Sequence, residues 1–321
     1  MRISYSAFDT FNRCPLKYKF SYIEKVKVPK KSELYFGGLV HAVVQEGLRK
    51  DPIIPSLEEL IKYLEDNWSD EAFTSKQEAE QYLDFGKNMI RNFHLSLKPG
   101  LRNIVATEKR FQIPLNDKHN LSGMIDRIDR LPYGAFEVID YKTSKKPATQ
   151  AEVDNDKQLG IYKLAVNHMW PEAKDVRLTL YFLKHPMQLS TTRQDSELET
   201  LKEEIILTAE KIEKATQRMA SLGLETEFAP KTNSFCDWCE YGHLCPLQKH
   251  KINKSQISNL KSQNEKDIDK TIEEYISAHQ KIADLEPEIH KHFDAEKIER
   301  FFHKEGTVTR GKNKKLTIKK S

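Results

Sequence analysis

The placement of the four cysteines constrains the fold of this 321-residue chain more than any other feature of its sequence. Cys14 lies near the start, whereas Cys236, Cys239 and Cys245 follow much later as C-x2-C-x5-C-P. Four cysteines with a C-x2-C core match the ligand number of one tetrahedral metal ion or one iron–sulfur cluster. If all four bind one centre, the two ends of a large domain are held together and the residues between them are enclosed.

The composition is that of an ordinary globular protein, because 38% of the residues are hydrophobic and can fill one large core or two small ones. No apolar run follows the basic residue at the start, so we expect no signal peptide. No stretch approaches the roughly 18 apolar residues of a membrane span. Cysteines with metal-type spacing favour a reducing compartment over a disulfide framework. We therefore expect a soluble, cytoplasmic protein.

The net charge of +4 is unevenly distributed, since residues 304–321 carry seven basic residues and one acidic residue. The rest of the chain is close to neutral. A nucleic-acid enzyme of this composition would need a local basic channel rather than a positive field over the whole surface. The basic tail is either a set of phosphate contacts or a solvated terminus without a partner.

Hydrophobic patterning and turn signals predict an α/β domain with a sheet of about four strands between helices. Helices are predicted at residues 4–25 with Ser4 or Ser6 as cap, from after Gly37-Gly38 to about 50, at 57–98, around Gln158 and Tyr162, and at 196–222. Strands are predicted at 104–113, 121–131, 135–141 and 176–183. After the cysteine cluster, we expect one or two polar helices over 266–303 and a small hairpin of 307–309 with 316–318.

A predicted hairpin carries the candidate catalytic residues. Pro132-Tyr133-Gly134 is a turn signal, and Asp126 and Asp140 each lie seven residues from residue 133, so they should face each other. Side-chain alternation puts Lys142 on the same face as Asp140. Two adjacent carboxylates repel unless a cation lies between them, and their oxygens suit Mg²⁺ or Mn²⁺. With Lys142 available to stabilise a phosphate oxygen, the pattern indicates a metal-dependent nuclease, and the alternative is a surface salt bridge.

Three other polar residues are weaker indications by themselves. Gln158 and Tyr162 are four residues apart, so one helix face presents both, and an amide with a phenol can hold a phosphate without adding charge. Amphipathic helices produce such pairs often. His41 lies on an otherwise apolar turn, where it is either a core residue or a neutral imidazole that completes a metal shell.

Taken together, the motifs resemble the RecB-like branch of the PD-(D/E)xK nuclease superfamily, in particular its iron–sulfur-containing members, the AddB-like recombination nucleases and the CRISPR-associated RecB-like exonucleases. The motifs occur in the family's order and cover most of the chain: Ser4-x-Ser6 with Cys14-Pro15, Gly37-x3-His41, Gly123-x2-Asp126-Arg127-x-Asp129, Asp140-Tyr141-Lys142-Thr143, Gln158-x3-Tyr162, and the cysteine cluster followed by Pro246. Ile125 stands where the name-giving proline is found, which is a common departure in this branch.

The resemblance implies a restriction-endonuclease-like (PD-(D/E)xK) α/β core, in which helices flank a central mixed sheet. Residues 1–250 would form the nuclease domain, with a helical insertion at about 51–100 and an iron–sulfur cluster as a staple. Residues 251–321 lie outside the resemblance and would form a helical extension with a basic tail.

The resemblance also implies roles for the candidate site residues. The metal ligands would be one imidazole, two carboxylates and one backbone carbonyl: His41, Asp126, Asp140 and Tyr141. Lys142 would be the catalytic lysine, with Gln158 and Tyr162 as catalytic supports, and Glu108 on the preceding strand matches a carboxylate that is frequent in the family. Four thiolates suit zinc as well as iron–sulfur. The resemblance favours a 4Fe–4S cluster bound by Cys14, Cys236, Cys239 and Cys245.

The implied function is that of a Mg²⁺- or Mn²⁺-dependent DNA exonuclease that hydrolyses phosphodiester bonds at single-stranded ends. It would act in DNA repair, recombination or CRISPR- or phage-related DNA processing, with helicase or recombination proteins as partners. One alternative is a catalytically vestigial DNA-binding or scaffold subunit, and another is a zinc-stabilised nucleic-acid-binding protein with incidental carboxylates. The intact set of Asp126, Asp140 and Lys142 favours the enzyme.

Overall fold

The computed structural model describes residues 1–28, 31–49, 52–97, 103–223, 226–248, 265–303, 306–311 and 316–320. The chain divides into two compact units, Met1–Lys249 and His250–Ser321. Most of the basic residues of the predicted tail lie outside the described residues. No helix in the described part of the chain is both long enough and apolar enough to cross a membrane.

The first elements of the chain are short and follow one another closely: β1 (Arg2–Ser4), α1 (Tyr5–Arg13), α2 (Pro15–Tyr18) and a π-helical turn (Lys19–Ile23). Ser4 caps α1, as predicted, because its hydroxyl accepts a hydrogen bond from the Ala7 N–H at 3.2 Å. The prediction of one continuous helix over 4–25 is wrong. Pro15 disfavours helical backbone in the residue before it, and Cys14 accordingly is extended, with φ −159° and ψ 103°.

A layer of helices follows: α3 (Ser32–Arg49), α4 (Leu57–Asp66) and α5 (Lys76–Ser96). The helical prediction for 57–98 is confirmed, with a break around Asp70–Ala72. The prediction that Gly37-Gly38 precede their helix is wrong, since α3 begins at Ser32 and contains both glycines. Phe36 and Val40 of α3 are buried, and this packing outweighs the low helix propensity of two glycines.

Among the described residues, the sheet of the first unit has six strands: β1, β2 (Ile104–Pro114), β3 (Asn120–Arg130), β4 (Phe136–Lys142), β5 (Val176–Phe182) and β6 (Met187–Thr191). The order is β1-β3-β4-β5-β6, and β2 also pairs with β3. The β1–β3 and β4–β5 pairs are parallel and the others antiparallel, so the sheet is mixed. The four predicted strands are confirmed. The prediction missed β1 and β6, which are too short to show an alternating pattern.

Two hydrophobic clusters cover the two faces of this sheet. One cluster packs α1, α7 (Lys157–Met169) and α8 (Asp195–Leu222) against residues such as Val138 and Leu180, with the short α6 (Gln150–Asp154) leading into α7. The other packs α3, α4 and α5 against Ile139 and Tyr141. The alternation of β4 is therefore as predicted, with Ile139 and Tyr141 on the face opposite Val138.

The second unit contains one long helix and three strands in its described part: α9 (Glu265–Glu296), β7 (Arg300–His303), β8 (Gly306–Arg310) and β9 (Leu316–Lys320). The predicted hairpin is confirmed, because Thr309 of β8 pairs with Thr317 of β9. Helix over the whole of 266–303 is wrong, since α9 ends at Glu296 and a strand follows. Phe301 in that strand pairs with Val308, and aromatic and β-branched residues are favoured in strands.

Candidate active site

The β3–β4 hairpin turns at Pro132–Gly134, where Tyr133 has a φ of 63°. Arg127 pairs with Ile139 and Arg130 with Phe136, so the pairing is centred on residue 133 as the sequence predicts. The backbone pairing ends there, one residue before Asp126 and Asp140 would meet. The Asp126 carboxylate instead accepts the backbone N–H of Tyr141 through Oδ2 at 2.9 Å. This hydrogen bond directs the Asp126 side chain to the end of β4 that carries Asp140.

A closed ring of polar contacts joins Asp140, Lys142, Gln158 and Tyr162. Lys142 Nζ lies 2.7 Å from Asp140 Oδ2 and donates to Gln158 Oε1 at 2.9 Å. Gln158 Nε2 donates to the Tyr162 hydroxyl at 2.7 Å, and that hydroxyl donates to Asp140 Oδ1 at 3.1 Å. Each member contacts two others, so the orientation of every side chain in the ring is fixed by its neighbours.

Helix α7 supplies the amide and the phenol of this ring. It begins after Asp156, whose carboxylate caps it by accepting the Leu159 N–H at 3.1 Å. A Cβ atom at Gly160 would lie 2.6 Å from a methyl group of Leu201, so the glycine allows α7 to approach α8 closely. Gln158 and Tyr162 are one helical turn apart and therefore point together at β4.

The electrostatics of the ring follow from burial and from its own charges. Asp140 is only 4% exposed, and burial raises the pKa of its carboxyl; the charge of Lys142 opposes this, that of Asp126 adds to it, and the pKa remains raised. Burial lowers the pKa of Lys142, but the Asp140 carboxylate outweighs it and the pKa is raised. Lys142 therefore carries its positive charge. Burial and the nearby carboxylates raise the pKa of Tyr162 well above its ordinary value, so its hydroxyl remains a donor.

His41 comes from the opposite helical layer. Helix α3 places its Nδ1 3.4 Å from Asp126 Oδ2, and 34% of the imidazole side chain is exposed. Burial lowers the pKa of His41, whereas the hydrogen bond to Asp126 and the charges of Asp126 and Asp140 raise it, and the net shift is upward. The structure thus brings His41 to the same carboxylate pair that the hairpin assembles.

Glu108 lies on β2 beside Asp126. Its neighbours Thr107 and Lys109 pair with Arg127 and Ile125, so the register sets Glu108 opposite Asp126. The φ of Glu108 is +43°, which is uncommon and costly for a residue with a side chain. This strained backbone is next to the carboxylate cluster.

In the part of the chain that the structure describes, no three His, Cys, Asp or Glu side chains are gathered closely enough to hold a metal ion. His41 and Asp126 are paired with each other, and Lys142 and Tyr162 contact both oxygens of Asp140. The donor chemistry nevertheless fits a hard divalent cation. The Asp126 charge raises the pKa of Asp140, and a cation between two such carboxylates would relieve this repulsion.

The four cysteines are free thiols that line one cavity of about 220 Å³. Cys14 lies at the end of α1, and Cys236, Cys239 and Cys245 belong to two short 3₁₀ turns and the residue after each. Burial raises the pKa of the Cys239 thiol, and the proximity of Cys14 adds to this shift. The thiol donors therefore meet from the two ends of the first unit, as their spacing predicts, and their chemistry fits an iron–sulfur or zinc centre.

Two features near the site were missed by sequence reasoning. Arg127 forms a two-point ion pair with Asp129 and donates to the Tyr141 hydroxyl at 3.3 Å, and all three residues are buried. Tyr5 of α1 lies near the site carboxylates, because burial, followed by the charges of Asp156, Asp9 and Asp140, raises its pKa to about 12. Both features fall within recognisable motifs, but a motif assigns no role to the residues between its fixed positions.

The sequence profile of the PD-(D/E)XK nuclease superfamily matches residues 2–246. This chain belongs to the PD-(D/E)XK nuclease superfamily. The matched range contains the candidate residues from His41 to Tyr162 and the four cysteines. The mixed sheet flanked by helices is thus the fold of a PD-(D/E)XK nuclease, as the resemblance implies.

Individual relatives of this PD-(D/E)XK protein match shorter segments. One component of the ATP-dependent helicase/deoxyribonuclease, from three strains of Streptococcus agalactiae, is 28% identical over 153 residues, which is 45% of this chain. The match spans 14% of the length of those relatives. A crystal structure of an exonuclease candidate from Eubacterium rectale is similar over 75% of this chain and 87% of its own, at 12% identity and a TM-score of 0.42.

Proposed function

We propose that this chain is a divalent-metal-dependent deoxyribonuclease whose catalytic residues are Asp126, Asp140 and Lys142. The observation that supports this most strongly is the ring around Asp140, in which a protonated lysine is held 2.7 Å from a buried carboxylate by an amide and a phenol. Preorganised positive charge of this kind stabilises the charge that develops on a phosphate under attack.

Each site residue has a role in this proposal. His41, Asp126, Asp140 and the backbone carbonyl of Tyr141 would hold Mg²⁺ or Mn²⁺. When bound, such a cation polarises the scissile phosphate and acidifies the attacking water. Lys142 contacts a phosphate oxygen and keeps its proton throughout. Gln158 and Tyr162 hold Lys142 and Asp140 in place, and Glu108 is a supporting carboxylate beside Asp126.

We further propose that the substrate is a single-stranded DNA end, which the enzyme degrades as an exonuclease in the cytoplasm. The name of the streptococcal relatives, part of a helicase/deoxyribonuclease, supports DNA as the substrate and a helicase or recombination protein as a partner. DNA repair, recombination and CRISPR- or phage-related processing are the pathways in which such an activity is used.

A 4Fe–4S cluster held by Cys14, Cys236, Cys239 and Cys245 completes the proposal, with a structural role. The shared cavity supports it, since the cluster would tie the end of α1 to the segment after residue 235. In this proposal, residues 1–250 are the nuclease domain and residues 251–321 are an extension that does not enter the site.

The decisive experiment is digestion of 5′- and 3′-labelled single-stranded and duplex DNA with Mg²⁺, Mn²⁺ or EDTA. The wild type should shorten single strands from an end in the presence of either metal only. Asp140→Asn keeps the shape of the side chain and should be inactive, whereas Asp154→Asn on the exposed α6 is the matched control. Binding of DNA without cleavage under every condition would contradict the proposal and favour a scaffold protein.

A further inference from the structure

Two large aromatic side chains, Phe235 and Trp238, are exposed at the cysteine cavity. Trp238 is 70% exposed and Phe235 is 56% exposed, and both line the cavity wall. The other two tryptophans of the chain, Trp68 and Trp170, are half-buried. Two exposed rings three residues apart leave a considerable apolar area in water, and we call Phe235 and Trp238 the stacking pair.

The stacking pair lies among basic groups. The guanidinium of Arg13 lies 4.8 Å from the centre of the Phe235 ring, and Lys31 donates to the backbone oxygen of Trp238. Within the described residues, the charged side chains that line the cavity are four basic and two acidic: Arg13, Lys17, Lys31, Lys231, Asp9 and Glu240. This excess of positive charge is complementary to a phosphate backbone.

Helix α1 connects the stacking pair to the proposed catalytic residues. Tyr5, Asp9 and Arg13 are spaced by four residues and therefore lie on one face of α1. Tyr5, at one end of this face, lies within the electrostatic reach of Asp140. Arg13, at the other end, covers the ring of Phe235. The two ends are about 12 Å apart along the helix axis.

We propose that a single strand of DNA follows the Tyr5–Asp9–Arg13 face of α1 to Asp140 and Lys142, with bases stacked on Phe235 and Trp238 and phosphates near Arg13 and Lys31. This rests on the proposed deoxyribonuclease function and adds the route of the strand and the residues that select it. Stacking on side chains requires bases that are free of a complementary strand. The stacking pair therefore explains a preference for single-stranded ends.

The test measures binding without cleavage, in EDTA, by fluorescence anisotropy of a labelled oligothymidylate and of an abasic oligomer of the same length. Trp238→Ala should weaken binding of the oligothymidylate by roughly 5- to 100-fold, the effect of losing one stacked base. Trp238→Phe keeps a ring and should retain most of the affinity. The abasic oligomer has no bases to stack, so it should bind equally to all three proteins.

A matched control is Tyr133→Ala, because Tyr133 is 94% exposed but lies at the far end of the β3–β4 hairpin. It should bind the oligothymidylate like the wild type. DNA should also quench the emission of the exposed Trp238 in the wild type, and Trp238→Phe should lack this quenching. Because Trp238 lies between two cysteines, circular dichroism and bound iron are compared for every variant.

The stacking pair is refuted if Trp238→Ala binds the oligothymidylate as tightly as the wild type; the two rings would then be free to contact a partner protein. Failure of the proposed function gives a different result. A wild-type protein whose binding depends on Trp238, but which cleaves no DNA with Mg²⁺ or Mn²⁺, supports the strand route and contradicts the nuclease. Cleavage by a protein whose binding is independent of Trp238 contradicts only the route.

Discussion

Lys142 and Asp140 lie on the same face of β4, with Nζ 2.7 Å from Oδ2, although Asp140 is almost completely buried. A buried carboxylate next to an ammonium group needs additional partners, and Gln158 and Tyr162 supply them from α7. The lysine is therefore fixed on two sides before any substrate arrives, and this arrangement leads to the first two predictions.

Lys142→Ala should reduce the rate of DNA cleavage by about 10²–10³, because a preorganised charge is removed from the chemical step. The fold and the binding of Mn²⁺ should remain, whereas Asp126→Ala and Asp140→Ala should lose both cleavage and metal binding. Single-turnover cleavage and calorimetric titration with Mn²⁺ measure the two effects. Lys146→Ala, at an exposed position, is the control. A Lys142→Ala protein that cuts at the wild-type rate would locate the chemistry elsewhere.

Tyr162→Phe should lower the free energy of unfolding by about 1–3 kcal/mol, since Asp140 Oδ1 and Gln158 Nε2 both lose a partner in a buried site. Urea unfolding followed by circular dichroism gives the value. Tyr133→Phe removes the same hydroxyl from an exposed side chain and should change the stability by less than about 0.5 kcal/mol. Equal effects of the two substitutions would show that the ring contributes nothing to stability.

The stability of the fold should decrease with rising pH between about pH 10 and pH 12. Burial raises the pKa of Tyr141 from 10.0 to about 12, although the Arg127 charge opposes this. In this window the unfolded chain has lost a proton that the folded protein retains, so the free energy of unfolding falls by up to about 1.4 kcal/mol per pH unit. Tyr141→Phe should make that decrease shallower, and Tyr133→Phe should not. Unfolding curves at several alkaline pH values test this, and identical slopes would contradict it.

Cys14→Ala should lose iron and lower the melting temperature, because one of four proposed ligands is removed and the end of α1 is no longer tied to the C-terminal cysteines. Iron content, visible absorbance after anaerobic purification and thermal unfolding are the measurements. Thr10→Ala alters the same cavity without removing a thiol. Full iron content and an unchanged melting temperature in Cys14→Ala would show that the centre does not use this cysteine, and a colourless, zinc-containing protein would exclude iron–sulfur.

The β3–β4 hairpin and α7 could be predicted from the sequence because the information there is local. The turn at Pro132–Gly134 fixes the pairing of Asp126 with Asp140, and the spacing of Gln158 and Tyr162 fixes their common face. The closure of the ring was not predictable, since it depends on how closely α7 packs, and Gly160 permits that approach through its contact with Leu201.

The errors have physical causes as well. Local rules took Gly37-Gly38 as a boundary, but burial of Phe36 and Val40 makes α3 continuous through them. The strand β1 contains three residues, and it exists because β3 offers it a parallel partner far along the chain. Tyr5 was overlooked for the same reason, because its neighbours Asp140 and Asp156 are distant in sequence.

The register of the β3–β4 hairpin has a practical consequence for engineering. Four residue pairs between 127–130 and 136–139 hold the alignment, and Tyr133 lies beyond them at an exposed tip. A tag or reporter domain inserted at Tyr133 would leave those pairs intact, as insertions at exposed turns generally do. A single residue added within 127–130 would instead turn Asp126 toward the opposite face of the sheet. The tip of this hairpin is therefore a site for fusion, and its paired segment has a fixed length.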